Sequence, residues 1–157
     1  MGIYNVVTKE DKILRQPCKP VPEVTPNVQK LLNNMLETMY AANGVGLAAP
    51  QVGISKRVIV VDVGEERGNG ALKLVNPEII AYSGTQNGPE GCLSCPNIYG
   101  DVIRHEKVTV KALDENGQPV EIHAEGFEAR ALQHEIDHLN GILFLDKATN
   151  IEIVENN

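Results

Sequence analysis

The chain has 157 residues, of which 42% are hydrophobic and 22% are charged, and its formal net charge at pH 7 is -7. A chain of this length and composition can bury a sizeable core, so we expect one domain over residues 1–157. The 14 Lys and Arg residues are scattered rather than massed in a run. This argues against a direct nucleic-acid site, because such sites normally leave a basic footprint.

The N-terminal region has no features of a targeting or membrane segment. Residues 1–17 contain no long apolar run, which argues against a secretory signal and a membrane anchor. Val6 stands where a myristoylation signal requires Ser or Thr. The three cysteines of the chain are too few for a disulfide scaffold. We therefore expect a cytoplasmic protein that has no membrane partner.

One amphipathic helix is predicted near the N-terminus. Three prolines within residues 17–22 indicate that the first part of the chain forms an extended arm over the body of the protein. Thr25 has the character of an N-cap, and Pro26 suits the first helical position. Apolar residues then recur at helical spacing over 28–40, and Gly44 marks the stop. We expect the apolar side of this helix to face the core.

Strands are predicted through the middle of the chain. The segment 44–53, GVGLAAPQVG, has too many glycines and alanines for an ordinary strand, which predicts a close approach of its backbone to another group. Strands are predicted over 57–62, 71–80, 108–114 and 119–126. The last two flank Asn116-Gly117, a dipeptide typical of tight hairpin turns.

A second helix is predicted from about Phe127 to Asn140, with Gly141 at its C-terminal stop. Apolar residues lie on two of its sides, so this helix should be largely buried. Strands that precede a single late helix predict an α+β fold, in which antiparallel β-sheets wrap around the C-terminal helix.

The second predicted helix carries a metal-binding pattern. His134 and His138 stand four residues apart, with Glu135 directly after the first histidine. In this H-E-x-x-H arrangement, one helical face offers two imidazoles to a metal. A catalytic zinc-type centre usually takes three protein ligands and leaves one position open. A third ligand is therefore expected elsewhere in the chain.

Five residues are candidates for the third ligand: Cys18, Cys92, Cys95, His105 and His123. Cys92 and Cys95 form a C-x-x-C pair, which allows a closed Cys2His2 site or a redox dithiol. A closed site would leave Glu135 without a task, and the β-α-β context of a redox dithiol is not evident. We favour one cysteine as the third ligand, with the fourth position open.

Three segments together resemble the signature motifs of the peptide deformylase family. They are GVGLAAPQ at 44–51, EGCLS at 90–94 and QHEIDHLNG at 133–141, in the order and approximate spacing of the family motifs. The resemblance extends from the N-terminal arm to about Leu145. It implies hydrolysis of the formyl group from the N-terminal formylmethionine of newly synthesised polypeptides, with release of formate. It also implies one divalent metal ion, natively Fe(II), which Zn, Ni or Co can replace.

The resemblance assigns roles to individual residues. It implies a metal site formed by Cys92, His134 and His138. Glu135 is then the catalytic carboxylate, which takes a proton from the attacking water and returns it to the departing amine. The Gln51 side-chain amide and the Leu93 backbone N–H are implied as donors to the negative charge that gathers on the formyl oxygen.

Substrate binding is expected around this centre. The resemblance implies that the backbone at Gly46 pairs with the substrate peptide like an added strand, which leaves the substrate sequence open. An apolar slot for the methionine side chain is expected next to the metal. By helical position, its walls are Phe127, Arg130 and Ala131, with the aliphatic part of Arg130 facing the slot.

The EGCLS segment is expected to contribute further substrate contacts. We assign to substrate binding Glu90, Gly91 and Arg104, and the resemblance implies an ion pair between Glu90 and Arg104 that braces the segment. The chain departs from the family at Cys95, where an aliphatic residue is common. We expect the Cys95 thiol to act as a small buried hydrophobe.

The expected partners are N-formylmethionyl nascent peptides and, transiently, the ribosome. Family members with a long C-terminal helix use it to dock on the ribosome, and the sixteen residues after Gly141 cannot copy that helix in full. Two other functions share the metal pattern: a binding module with a closed structural site, and a peptidase that cuts internal bonds. Glu135 and Gln51 argue against the closed module, which needs neither a proton shuttle nor an amide beside the metal.

Overall fold

The computed structural model describes residues 2–154, which form two α-helices, eight β-strands and three short 3₁₀ helices. The helices are α1 (Pro26–Ala41) and α2 (Gly126–Leu139). The strands are β1 (Gly46–Ala48), β2 (Val58–Val61), β3 (Leu72–Ser83), β4 (Gln86–Cys92), β5 (Cys95–Arg104), β6 (Lys107–Leu113), β7 (Pro119–Glu125) and β8 (Thr149–Ile153). The 3₁₀ helices are Lys12–Arg15, Ala49–Val52 and Phe144–Asp146.

The strands form two antiparallel sheets. The larger sheet has five strands in the order β1-β2-β3-β6-β7, and the smaller one has three in the order β4-β5-β8. The predicted hairpin joins β6 to β7, and Gly117 adopts a φ of 78° in its turn, which suits glycine. The α+β fold predicted from the sequence is confirmed.

Strand β2 lies between the two helices and contributes to two cores. Ile59 and Val61 pack with Leu132 of α2. Val58 and Val60 point to the other face and pack with α1. All four residues of β2 are buried, which explains why this strand is a continuous apolar run rather than an alternating one.

Helix α1 begins and ends as its sequence predicts. The Thr25 side chain accepts a hydrogen bond from the Val28 N–H, and Pro26 occupies the first turn. The buried side of the helix includes Leu32 and Met35. The N-terminal arm crosses this helix, because the Tyr4 N–H donates to Thr38 Oγ1 at 2.9 Å.

Helix α2 is the central element of the fold. Eleven of its fourteen residues are buried, and it packs against β1, β2 and β7. It starts at Gly126 and ends at Leu139, each within one residue of the predicted boundary. No helix within residues 2–154 is both long and apolar enough to cross a membrane.

Four strands were not predicted from the sequence: β1, β4, β5 and β8. Strand β4 contains Gly88, Pro89 and Gly91, which have low β propensity, and its partner β5 begins with a cysteine and a proline. Every described residue of β8 is exposed, so it has no apolar alternation. Residues 46–48 form strand β1 even though glycine and alanine predominate around it. Residue 1 and residues 155–157, which include the end of the short C-terminal tail, lie outside the described residues.

Candidate active site

Three potential metal ligands converge where α2 faces the β4–β5 hairpin. Cys92, His134 and His138 each offer one ligand atom, and these atoms lie within 4.8 Å of one another. Cys92 Sγ is 3.4 Å from His138 Nε2, and the two imidazole centroids are 5.0 Å apart. His134 and His138 are 7% and 1% exposed. One sulfur and two imidazole nitrogens form a donor set that suits a borderline divalent metal, so these residues fit such an ion.

The hydrogen bonds of the histidines are consistent with metal binding through their Nε2 atoms. His134 Nδ1 lies 2.9 Å from Glu90 Oε1, which fixes the ring and leaves Nε2 available. His138 Nδ1 is buried and has no hydrogen-bond partner among the described residues. Burial lowers the pKa of His138 well below its ordinary value, which keeps this imidazole neutral and able to bind a metal.

The carboxyl group of Glu135 lies beside these ligands. Its side chain is 5% exposed, and Oε1 has no hydrogen-bond partner among the described residues. Burial raises its pKa from the ordinary value to about 7, because the charged form loses its solvation. A carboxyl group with a pKa near neutrality can both accept and donate a proton during a reaction.

The predicted close approach of the 44–53 backbone is to Glu135. A Cβ atom on Gly46 would lie 2.5 Å from Glu135 Oε2, closer than real Cβ contacts allow. A side chain at position 46 would therefore force the Glu135 carboxylate to move. This contact gives a reason for glycine at position 46, which a helix stop or a tight turn does not explain.

Gln51 is held with its amide nitrogen towards the ligands. Its Oε1 accepts a hydrogen bond from the Ala48 N–H at 2.9 Å. Its Nε2 donates to Ser94 Oγ at 3.1 Å and contacts Cys92 Sγ at 3.4 Å. Leu93 lies in the turn after β4 and lines the same cavity. Ser94 was not predicted as a site residue, although it lies within the EGCLS motif; its side chain is fully buried.

Glu90 is the centre of a buried ion-pair network. Arg104 donates to it through Nε and Nη2, at 2.9 Å in each case, and Arg130 Nη1 donates to Oε2. Burial alone would raise the pKa of Glu90, but the hydrogen bonds from Arg104 and His134 outweigh it and lower the pKa to about 2. Arg104 also binds Asp137 at 2.6 Å. The contacts of Arg130 and Asp137 in this network were not predicted from the sequence.

These residues surround a cavity of about 310 Å³. Eleven of the predicted site residues line it: Gly46, Gln51, Glu90, Gly91, Cys92, Leu93, Phe127, Arg130, Ala131, His134 and Glu135. The other two, Arg104 and His138, are buried outside its lining. The volume suits a small ligand or one end of a peptide.

The other candidate ligands lie outside the group that Cys92 forms with the two histidines. Cys18 belongs to the core beneath α2, His105 stacks on Tyr82, and His123 contacts Thr109. Cys95 is 1% exposed and packs in an apolar cluster that Cys92 also contacts, as a small hydrophobe would. The ligand group among residues 2–154 therefore differs from the closed Cys2His2 alternative.

The fold and the site define a metal-dependent hydrolase, in which two helix-borne histidines, a cysteine and a buried glutamate meet in an open cavity. The sequence profile of polypeptide deformylases matches residues 3–153, and the chain belongs to this family. The members of the family remove the formyl group from newly synthesised polypeptides. The predicted family and enzyme class are confirmed.

Relatives and solved structures agree with this assignment. Over 151 residues the chain is 60% identical to the peptide deformylase of Carboxydothermus hydrogenoformans, an alignment that covers 96% of this chain and 97% of the relative. The peptide deformylase of Halothermothrix orenii is also 60% identical over 151 residues, with the same coverage of 96% and 97%.

Two crystal structures show the same fold. That of the Ehrlichia chaffeensis peptide deformylase in complex with actinonin has a TM-score of 0.92 and 40% identity, and the match covers 96% of this chain and 91% of that one. The Thermotoga maritima peptide deformylase has a TM-score of 0.89 and 43% identity, with coverage of 95% and 99%.

Proposed function

We propose that the cavity beside α2 is where this chain hydrolyses the formyl group of N-formylmethionyl polypeptides, releasing formate and a free N-terminus. The observation that carries the proposal is the buried Glu135 carboxyl group next to three converging metal ligands at an open cavity. The similarity to a peptide deformylase crystallised in complex with actinonin supports it, and a cavity of about 310 Å³ suits a small ligand.

The metal site is proposed to consist of Cys92, His134 and His138, with Fe(II) as the native ion and Zn, Ni or Co as replacements. One thiolate and two neutral imidazoles would bring a divalent ion to a formal charge of +1. When bound, the ion acts as a Lewis acid on the formyl carbonyl and lowers the pKa of a water molecule. The contact between Glu90 and His134 Nδ1 orients one of the imidazoles for this task.

Glu135 is proposed to carry the proton between water and the leaving amine. Its Oε1 has no hydrogen-bond partner among the described residues, so it is free to accept a proton from the attacking water. The pKa of about 7 lets the same group return that proton to the amine of the departing peptide.

Two donors are proposed to stabilise the negative charge on the formyl oxygen. The first is Gln51 Nε2, whose orientation is set by the hydrogen bond from Ala48 to Oε1. The second is the backbone N–H of Leu93, in the turn directly after the proposed ligand Cys92. Donors that are already oriented are effective because they need no reorganisation during the reaction.

The substrate peptide is proposed to add to β1. This strand is at the edge of the five-stranded sheet, and Gly46 and its neighbours line the cavity. Backbone pairing with an edge strand recognises an extended peptide whatever its sequence. Gly91 would then form part of the opposite wall of the cavity.

The methionine side chain is proposed to occupy a slot formed by Phe127, Arg130 and Ala131. The Arg130 guanidinium is held by Glu90 and by the Val102 carbonyl, which leaves its aliphatic part to form a wall. Glu90 and Arg104 would support this wall from behind through their ion pair.

The cellular setting follows from the substrate. Because the relatives described above are bacterial and act on a product of translation, we propose that residues 1–157 work as one cytoplasmic catalytic domain that meets nascent chains. Contact with the ribosome would be transient. Residues 149–153, which form β8, show that part of the segment after α2 is a strand.

Formate release from formyl-Met-Ala-Ser tests the proposed function. The protein is purified without oxygen, loaded with Fe(II) and compared with Glu135→Gln, with metal content measured in both. We expect kcat to fall by about 100- to 10,000-fold in the variant, because general acid–base catalysis is lost. Glu121→Gln, a change on the exposed side of β7, is the matched control and should retain the activity of the parent. A fully metallated parent that releases no formate would overturn the proposal.

A further inference from the structure

The β4–β5 hairpin places a second cysteine opposite the proposed ligand Cys92. Cys92 and Cys95 are direct partners in the antiparallel ladder, separated by two turn residues. Opposed residues in such a ladder have Cα atoms about 4.5–5.5 Å apart. A disulfide spans Cα separations of about 4.4–6.8 Å, so the backbone already has the spacing that a bridge needs.

The two thiols differ in their access to solvent. Cys92 is partly exposed and lines the cavity in which substrate is proposed to bind. Cys95 is 1% exposed and packs among apolar side chains that include Leu14, Val102 and Phe144. A small molecule that enters the cavity therefore meets Cys92 first, and Cys95 lies directly behind it.

We propose that Cys92 and Cys95 are a peroxide-responsive pair, in which a hydroperoxide oxidises Cys92 and Cys95 then converts it into a reversible disulfide. The inference rests on the proposed function, because it takes Cys92 to be a metal ligand. It assigns a task to Cys95, which the hydrolytic reaction leaves unused.

The oxidation proceeds in two balanced steps. In the first, the Cys92 thiolate attacks one oxygen of the hydroperoxide, the O–O bond breaks, and Cys92 becomes a sulfenic acid while the peroxide leaves as alcohol or water. In the second, the Cys95 sulfur attacks the Cys92 sulfur, the S–S bond forms, and water leaves with the sulfenic oxygen. In total, the two thiols lose two electrons, which reduce one molecule of hydroperoxide.

The disulfide has two consequences for the site. A sulfur within a disulfide is no longer a thiolate, so the metal loses one of its three proposed protein ligands. The bridge also removes the sulfenic acid before a second peroxide can convert it into a sulfinic or sulfonic acid, which thiols do not reduce. With Cys95 present, oxidation of Cys92 therefore leads to a reversible loss of metal and not to irreversible oxidation of the Cys92 sulfur.

Peroxide treatment of zinc-loaded protein tests this inference, because zinc itself has no redox chemistry. The readouts are intact mass, the number of free thiols, and zinc released to a coloured chelator. We expect the parent to become lighter by two hydrogen atoms, to keep one of its three thiols and to release zinc in step with disulfide formation. Dithiothreitol followed by zinc should restore all three readouts.

Two variants at position 95 and one at position 18 serve as controls. Cys95→Ala and Cys95→Val remove the resolving thiol, and either suffices if the other folds poorly. Before treatment they should deformylate as the parent does; after it they should gain two or three oxygen atoms that dithiothreitol cannot remove. Cys18→Ala should behave as the parent, since Cys18 belongs to another cluster.

Several results would overturn the inference. One is a parent that gains oxygen atoms irreversibly, as the Cys95 variants are expected to do. Another is loss of the disulfide in Cys18→Ala. An untreated parent that releases no formate would contradict the proposed function, whereas the mass and thiol readouts would still decide whether the pair forms a disulfide.

Discussion

The buried carboxylate of Glu90 lines the cavity, contacts the proposed metal ligand His134 and pairs with arginines of the core. It accepts hydrogen bonds from two arginines and lies 2.9 Å from His134 Nδ1. Both arginine side chains and Glu90 itself are almost fully buried, so each charge depends on the others for stabilisation. The same carboxylate therefore orients a proposed ligand and neutralises the cations behind the proposed methionine slot.

Replacing Glu90 by glutamine is expected to weaken metal binding and stability together. The amide keeps the shape of the side chain but removes the carboxylate that pairs with the buried Arg130, and it leaves Arg104 with Asp137 alone. We expect the free energy of unfolding to fall by about 3–5 kcal/mol and metal affinity to fall by about 10- to 100-fold. Urea unfolding and competition with a chelator measure the two effects. Glu78→Gln, on an exposed part of β3, should change neither, and equal metal affinity in Glu90→Gln and the parent would refute the orienting role.

Among the elements, the loop over 64–70 contacts the first turn of α2, beside the proposed methionine slot. Glu128 of α2 accepts hydrogen bonds from the Asn69 backbone N–H at 2.7 Å and from its side chain at 2.6 Å. Arg67 of the same loop lies over the Phe127 ring, with its guanidinium carbon 4.5 Å from the ring centroid. The loop therefore contacts the ring that we propose as one wall of the slot.

Arg67→Ala is expected to impair methionine binding rather than the chemical step. A cation over an aromatic ring at an exposed site contributes about 0.5–1 kcal/mol, so KM for formyl-Met-Ala-Ser should rise by about two- to fivefold while kcat stays unchanged. Arg67→Lys retains a cation and should recover part of the effect. Steady-state kinetics of the three proteins provide the measurement, and a lower kcat at unchanged KM would show that the loop acts on the reaction instead.

The elements also show how far the sequence could be interpreted. Both helices were predicted because caps, glycine stops and helical spacing are local signals, and the Asn116-Gly117 hairpin is local as well. Strands β4 and β5 lack such local signals, because glycine and proline interrupt their apolar pattern. They are stabilised by pairing with each other, which the sequence does not reveal. Cys92 stands at the end of β4, so the histidine pair followed from its own pattern whereas the third ligand required the family resemblance.

On the scale of the whole molecule, the site joins parts of the chain that are distant in sequence. The N-terminal arm ties two of the motif segments together, since the Val7 N–H donates to the Gln51 carbonyl and the Lys9 N–H to the Ser94 carbonyl, both at 2.8 Å. The proposed ligands come from the small sheet and from α2, which itself packs against the large sheet. A metal bound to all three would therefore link the two sheets through the central helix.

Metal binding should consequently stabilise the entire fold. An ion at 100 times its dissociation constant adds about 2.7 kcal/mol if it binds only the folded state, which for a domain of this size corresponds to a rise in Tm of about 5–10 °C. Thermal unfolding of the chelator-treated and the zinc-loaded protein measures the rise. Cys92→Ala, which removes the ligand from the small sheet, should abolish most of it, whereas His123→Ala should retain it because His123 lies outside the ligand group. A Tm that rises equally in Cys92→Ala would mean that the histidines of α2 alone hold the ion and that it does not bridge the sheets.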